Sequence, residues 1–121
     1  MELIDSGILA HGERGTVRSI LTFSQVIALQ QGGLLASYRS GSTKDSDDET
    51  IEFARSADGG RTWSAPWRAF GPTHLHGKLG TVKVCYLTEV APGRLLAAAM
   101  WIDRTSYPGQ PLFNAETEGC L

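Results

Sequence analysis

Short apolar runs alternate with clusters of Gly, Pro, Ser and Asp along nearly the whole chain, and helical periodicity is weak. Runs rich in Val, Ile, Leu, Phe and Tyr that are bounded by such clusters are typical of β-strands. The pattern therefore predicts an all-β fold in which residues 103–119, rich in Pro, Gly, Asn and Glu, form a long loop. The predicted strands cover residues 17–23, 26–30, 34–39, 50–55, 65–70, 81–89 and 95–102.

Two of the predicted hairpins resemble each other. Residues 26–36 read VIALQQGGLLA, and residues 87–97 read LTEVAPGRLLA. The two are 61 residues apart, as measured from Leu34 to Leu95. A repeat of that length with about four strands is typical of the blades of a β-propeller. The repeat predicts a first blade over about residues 16–70 and a second, incomplete blade over about residues 81–121.

The segment from Ser56 to Trp63 has the form S-x-D-x-G-x-T-W. Gly59 and Gly60 adopt positive φ angles at little steric cost, which suits a tight reversal. The short side chains of Ser56 and Asp58 can bond backbone N–H groups of the same turn. Thr62 and Trp63 then resume a strand, and the indole ring can pack over the turn. The residues at 56, 58, 60, 62 and 63 thus predict a self-capped hairpin between two neighbouring strands.

This motif resembles the Asp-box of the sialidase-like β-propellers, where the box has a structural role. The resemblance implies that the chain forms about two blades of a six-bladed propeller, as the N-terminal part of a longer protein. The remaining blades would lie outside this chain. Since blades bury their faces against one another, we expect the isolated chain to expose an apolar face and to aggregate or self-associate.

Alternate loops of an antiparallel blade lie on opposite rims. The loops 40–49 and 71–80, the approach 11–18 and the segment after Ile102 are expected to share one rim. This rim collects most of the Arg, Asp and His residues, and loops on a rigid scaffold commonly carry function. Such a mixture of arginines and carboxylates suits an anionic or polyhydroxylated sugar. Trp67 and Trp101 are further candidates for sugar stacking, although packing between strands is the commoner role.

The segment from Leu34 to Asp45 is similar to a sialidase hairpin strand that ends in an arginine beside the sugar carboxylate. By this resemblance Arg39 contacts the substrate and Asp45 is the general acid/base, with Asp47 and Asp48 as alternatives. An Asp in a rim loop gains a higher pKa when a substrate desolvates it. Where sialidases carry the first arginine of their substrate-binding triad, this chain has Thr22-Phe23-Ser24-Gln25. Arg18 is therefore a second candidate for substrate binding.

The resemblance implies an exo-glycoside hydrolase that removes a terminal, acidic sugar and retains configuration through a tyrosyl intermediate. That tyrosine would lie in later blades, so we expect this chain alone to be inactive. Two alternatives stay open. The protein is a non-catalytic propeller that binds carbohydrate or another protein, or it is a truncated product with no activity of its own.

The composition narrows the remaining function classes. The 121 residues suffice for one domain, and a net charge of -2 without a basic stripe argues against nucleic-acid binding. The sequence has no apolar run of about 18 residues, so no membrane span is predicted. The N-terminus lacks a signal-peptide pattern, which makes the cytoplasm the default location and leaves secretion open.

Cysteines and histidines give no sign of a metal or cofactor site. Cys85 is expected to be a small buried hydrophobic residue, and Cys120 is uninterpretable on its own. His74 and His76 would point the same way on an extended segment but lack an evident third ligand. We therefore predict no metal and no cofactor.

Overall fold

A computed structural model describes residues 6–110, and these residues form two antiparallel β-sheets. They contain no helix, hence none that could cross a membrane. The predicted all-β class is confirmed. The first sheet has the order β1 (Ile20–Ala28), β2 (Leu34–Gly41), β3 (Thr50–Ser56) and β4 (Trp67–Arg68), and the second has the order β5 (Thr73–Leu75), β6 (Lys78–Ala91) and β7 (Arg94–Asp103).

Strand β1 corrects the prediction of two separate strands at 17–23 and 26–30. It is one strand with a bulge between Thr22 and Gln25, where the register with β2 shifts. The polar pair Ser24-Gln25 breaks the apolar run in the sequence without ending the strand. The amide of Gln25 donates to the carbonyl of Leu87 at 3.1 Å and accepts from its N–H at 2.5 Å. A polar residue here therefore bonds the backbone of β6 and supports the packing of the two sheets.

The other differences from the prediction concern where strands begin and end. The strand predicted at 65–70 is reduced to Trp67–Arg68, next to Pro66, which has no N–H to donate to a ladder. The predicted loop at 71–80 contains β5 and the beginning of β6, joined by a tight turn at His76 and Gly77. In the loop predicted at 103–119, Asp103 still belongs to β7. Residues 111–119 of that loop, and Cys120, lie outside the described residues.

Residues 56–63 form the predicted reversal, which joins the antiparallel strands β3 and β4. The carboxylate of Asp58 accepts from Thr62 N through Oδ1 at 2.9 Å and from Thr62 Oγ1 through Oδ2 at 2.6 Å. These bonds hold the pKa of Asp58 well below its usual range. Ser56 Oγ accepts from Gly60 N at 2.8 Å, and the Trp63 indole donates to Gly60 O at 3.1 Å. The φ of Gly60 is 93°, a conformation in which glycine avoids steric strain.

The core lies between the first sheet and strand β6. Its buried centre consists of Leu35, Ile51, Cys85 and Leu87. The prediction that Cys85 is buried is confirmed, and its thiol is free. Ser37 Oγ donates to the carbonyl of Cys85 at 3.0 Å, so a hydrogen bond as well as apolar packing joins the two sheets.

Glu89 links the tight turns of the two hairpins. Its carboxylate accepts from Gln30 N at 2.5 Å and from Gly93 N at 2.8 Å. Gln30 belongs to the β1–β2 turn and Gly93 to the β6–β7 turn. The sequence repeat noted above therefore corresponds to two hairpins whose turns are joined through Glu89.

The outer face of the second sheet is apolar and uncovered by any described residue. Tyr86 and Val90 of β6 are 51% and 55% exposed, and Leu96 of β7 is 60% exposed. Residues 94–99 of β7 are all exposed. The apolar surface expected from the sequence is thus found in this sheet.

Candidate functional site

Charged side chains converge where β2 ends, at the loop 42–49, and contact residues of β6 and the segment after β7. Glu49 lies at the centre of this group, which we call the Glu49 cluster. Its members come from segments far apart in the sequence and meet only because the two sheets pack face to face. The cluster consists of Arg39, Asp45, Asp47, Glu49, Thr81, Lys83 and Arg104.

The carboxylate of Glu49 has no exposed surface and is surrounded by donors. Arg39 Nη1 donates to Oε2 at 2.8 Å, and Arg104 Nη2 donates to Oε1 at 2.6 Å. Thr81 Oγ1 also donates to Oε1, at 2.7 Å. Lys83 Nζ lies 3.6 Å from Oε2. A buried carboxylate requires such compensation, because an unpaired charge in the interior is strongly unfavourable.

Lys83 reaches this cluster from a bulge in β6. The register with β7 shifts between Val82 and Val84, and bulges of this kind redirect a side chain. The ammonium donates to the carboxylate of Asp45 and, at 3.1 Å, to the carbonyl of Lys44. The Lys83 side chain is 2% exposed, and that of Asp45 is 20% exposed.

The surroundings of Asp45 act on its pKa in opposite directions. Partial burial alone would raise the pKa of this carboxyl. The hydrogen bond and the charge of Lys83 outweigh that effect and hold the pKa below its ordinary value. Asp45 is therefore ionised at neutral pH in the ligand-free protein. Its assignment as general acid/base stays a prediction, and the pair with Lys83 is a condition that any such role must meet.

Arg39 lies in this cluster with its side chain completely buried, and its contact with a substrate stays a prediction. Nε donates to Thr22 Oγ1 at 3.0 Å, and Nη1 donates to Glu49 and to Thr43 O. Within residues 6–110, Nη2 has no hydrogen-bond partner. The ring of Phe23 lies over the guanidinium, with its centroid 5.9 Å from Cζ. A sugar would reach Arg39 only after a neighbouring group moves.

The structure does not bring Arg18 to the Glu49 cluster. Its guanidinium binds Glu52 through Nε at 2.9 Å and Nη2 at 3.0 Å, and it binds Glu13 through Nη1 at 2.6 Å. Glu52 also accepts from Ser40 Oγ, and successive side chains of β2 point to opposite faces. Arg18 is therefore on the other face of the first sheet from Arg39, and its substrate-binding role stays a prediction that the present contacts do not favour.

A groove of about 400 Å³ opens beside the cluster. Four segments expected to share a rim meet there, because the lining includes Val17, the loop residues 47–49, residues 71–73 and 79–80, and Arg104. Asp47 holds two of these segments together, since it accepts from Gly109 N at 2.6 Å. Phe70 and Pro72 add apolar surface, and Asp48 and Arg68 add charge. A sugar offers both hydroxyl groups and apolar ring faces, so this mixture suits it.

The remaining candidates have structural surroundings. Trp67 packs edge-on against Phe53, with ring centroids 5.9 Å apart. Trp101 lies over Gly80, where an added Cβ would come within 2.2 Å of the indole. Among residues 6–110 there is no group of three His, Cys, Asp or Glu side chains arranged to hold a metal ion.

Sequence reasoning missed Glu49 and Lys83 as members of the site, and it placed Arg104 on the shared rim without giving it a role. Lys83 did carry a signal, because it is a single charge within the apolar run of β6. A lone charged residue in a buried strand requires a partner, which marks it for attention. For Glu49 the sequence had no comparable signal, since it lies at the end of a loop-like segment rich in charged residues.

Comparison of the chain with protein-family models, with curated proteins and with solved structures gave no match.

Proposed function

We propose that the two sheets are successive blades of a sialidase-like β-propeller. Three observations support this proposal. The first sheet is a four-stranded antiparallel meander with the strand order of a blade. The hydrogen-bonded turn from Ser56 to Trp63 joins its last two strands. The β6–β7 hairpin repeats the β1–β2 hairpin in sequence and packs beside it.

We infer that the protein is a sialidase-like exo-glycoside hydrolase that acts on a terminal, acidic sugar. The observation that carries this inference is the convergence of Asp45 with Arg39, Lys83 and Arg104 in one cluster. Other members of that cluster, Asp47 and Glu49, line the groove together with Arg104. Three cationic groups suit a sugar that bears a carboxylate. A partly exposed Asp at the edge of the same cluster is suitably placed for proton transfer.

Asp45 could act as the acid only after Lys83 releases it. A substrate carboxylate beside Lys83 would compete for the ammonium, and the bound sugar would exclude water from Asp45. Both changes raise the pKa of a carboxyl group, which would bring it toward the range useful for catalysis. In this proposal the substrate itself converts Asp45 from an ion-pair partner into a proton donor.

The alternative is a non-catalytic propeller that binds carbohydrate or a protein partner. The pair between Lys83 and Asp45 favours it, because a carboxylate held ionised by an ammonium does not donate a proton. The two proposals share the groove and the cluster. They differ in whether a bond is broken there.

Release of a fluorescent aglycone by the full-length protein separates these possibilities, with a sialoside and a neutral galactoside as substrates. We expect cleavage of the sialoside alone, and a loss of at least about 100-fold in kcat for Asp45→Asn. Asp48→Asn tests the alternative candidate in the same loop and should retain activity if Asp45 is the acid, since Asp48 accepts from Ser42 N at 3.0 Å. Full activity of Asp45→Asn would refute its role as acid/base. Sugar binding without cleavage would support a carbohydrate-binding propeller. Neither binding nor cleavage would refute both the hydrolase and the carbohydrate-binding propeller.

A further inference from the structure

Phe23 has an unusual backbone conformation for its residue type. It lies in the bulge of β1 with a φ of 53°, and the only other described non-glycine residue with positive φ is His76. An aromatic residue in this region is strained, because its Cβ crowds the backbone. Strain of this kind persists where the surrounding structure enforces it, and it is concentrated at functional sites. Phe23 is also 40% exposed, so burial of its ring does not account for the strain.

The group under the Phe23 ring has an unmet hydrogen bond. Nη2 of Arg39 is buried and has no acceptor among residues 6–110, while Nε and Nη1 are both bound. A buried donor without an acceptor is costly, and more so when it carries charge. Thr22 and Glu49 thus hold the guanidinium in place, and Nη2 remains without an acceptor. An oxygen atom of a bound ligand could accept this hydrogen bond.

We propose that Phe23 covers Arg39 in the ligand-free protein and turns aside on binding, so that Nη2 donates to the carboxylate of an acidic sugar and the ring packs against the sugar's apolar face. The inference rests on the proposed function, and it adds Phe23 to the Arg39 contact that the resemblance implies. It makes Phe23 a residue that determines affinity.

The chemistry of both residues suits this ligand. Guanidinium groups recognise carboxylates through planar, charge-assisted hydrogen bonds. Aromatic rings offer a large apolar surface to a ligand. Strain at Phe23 in the ligand-free form lowers the free energy needed to displace this residue. Release of the strain therefore favours the ligand-bound state over the free state. Because Thr22 and Glu49 already hold the guanidinium, little ordering is needed on binding.

Titration of the full-length protein with the methyl glycoside of N-acetylneuraminic acid tests the contact, with methyl galactoside as the neutral probe. We expect Phe23→Ala to weaken binding of the acidic sugar by about five- to tenfold. Tyr86→Ala is the matched control, because Tyr86 is an aromatic residue that is 51% exposed but lies on the outer face of the second sheet. It should leave the affinity unchanged. Unchanged or tighter binding by Phe23→Ala, or an equal loss in Tyr86→Ala, would overturn the inference.

Thermal unfolding supplies a second readout that does not depend on any sugar. Asn tolerates positive φ better than Ala does, and both substitutions remove the ring. We therefore expect the Tm of Phe23→Asn to exceed that of Phe23→Ala by about 4 °C. Equal Tm values would show that the position is not strained and would overturn the inference. A wild-type protein that binds neither sugar refutes the proposed function itself, which distinguishes the two failures.

Discussion

At the scale of single residues, the dominant feature is the burial of charge around Glu49. One fully buried carboxylate faces two guanidinium groups and an ammonium. Buried ion pairs often add little net stability, but removal of one partner leaves the others uncompensated in a medium of low dielectric constant. The cluster therefore determines the conformation of the loop 42–49. Each charged member requires the others, because removal of one leaves a buried charge without its partner.

We predict that Glu49→Gln lowers the free energy of unfolding by about 3–5 kcal/mol, because Arg39, Lys83 and Arg104 lose their shared counter-ion. Urea denaturation followed by tryptophan fluorescence measures the change. Glu13→Gln is the control, since Glu13 is 59% exposed and pairs with Arg18 at the surface. It should change stability by less than about 1 kcal/mol. Equal effects of the two substitutions would contradict the role given to Glu49.

Aspartates with lowered pKa values make the stability of the fold depend on pH in the acid range. Hydrogen bonds from Lys78 and from the backbone of Ser106 lower the pKa of Asp103 to about 2. The pKa values of Asp45 and Asp48 also lie below their ordinary range. Since the pKa of Asp in an unfolded chain is about 3.9, these groups stabilise the fold above that pH. Their contribution is lost as the pH falls from about 4 toward 2.

We therefore expect the free energy of unfolding to fall steeply between about pH 4 and pH 2, as measured by urea titrations at stepped pH. Asp103→Asn should flatten this dependence, because the substituted side chain no longer takes up a proton on unfolding. A variant whose pH dependence matches that of the wild type would show that Asp103 is not protected in the folded state.

The sequence indicated some of these residues but not how they combine. The local pattern around Leu34–Asp45 singled out Arg39 and Asp45, and both belong to the cluster. It did not reveal that Lys83 holds Asp45, because that contact joins two sheets. Arg18 was chosen for its nearness in sequence to Thr22, whereas its contacts lie on the other face of the first sheet.

At the scale of secondary-structure elements, two bulges flank the candidate site. The bulge in β1 contains Phe23, and the bulge in β6 contains Lys83. Both side chains contact members of the Glu49 cluster. Bulges next to functional sites commonly redirect side chains in this way. A period-2 pattern does not reveal a bulge, which explains why the sequence split β1 into two strands and read β6 as a regular one.

The turn at 56–63 was the element best predicted, because its geometry is fixed by nearby residues.

We expect Gly60→Ala to destabilise the protein by about 1–2 kcal/mol, since Ala is strained at a φ of 93°. Gly71→Ala is the matched control, because a Cβ at Gly71 would meet no atom within 4 Å and its φ is not positive. Comparison of the two Tm values measures the effect. A neutral Gly60→Ala would contradict the requirement for glycine.

At the scale of the whole molecule, the two sheets share a core but leave one broad surface uncovered. The outer face of the second sheet exposes Tyr86, Val90 and Leu96, and β7 presents an edge with no paired strand among residues 6–110. Apolar faces and free edges of this kind favour association. The periodicity of the sequence predicted the strands themselves, whereas the packing of β6 onto the first sheet required the structure.

We predict that the purified 121-residue chain self-associates at micromolar concentration, because association removes this apolar surface from water. Sedimentation velocity at several concentrations measures the effect. Leu96→Lys should shift the distribution toward monomer, since it places a charge on the exposed face. A monodisperse monomer with a cooperative melt would contradict the prediction.

The carboxylate of Glu89 has a mechanical consequence. It fastens the two hairpin tips to each other, while the buried charges around Glu49 fasten the opposite ends of the same strands. Sliding or twisting of one layer against the other would have to break contacts at both extremities at once. We therefore expect β1, β2 and β6 to move as one rigid unit under an applied force, and deformation to be largest at the edge of β7 that pairs with no described strand.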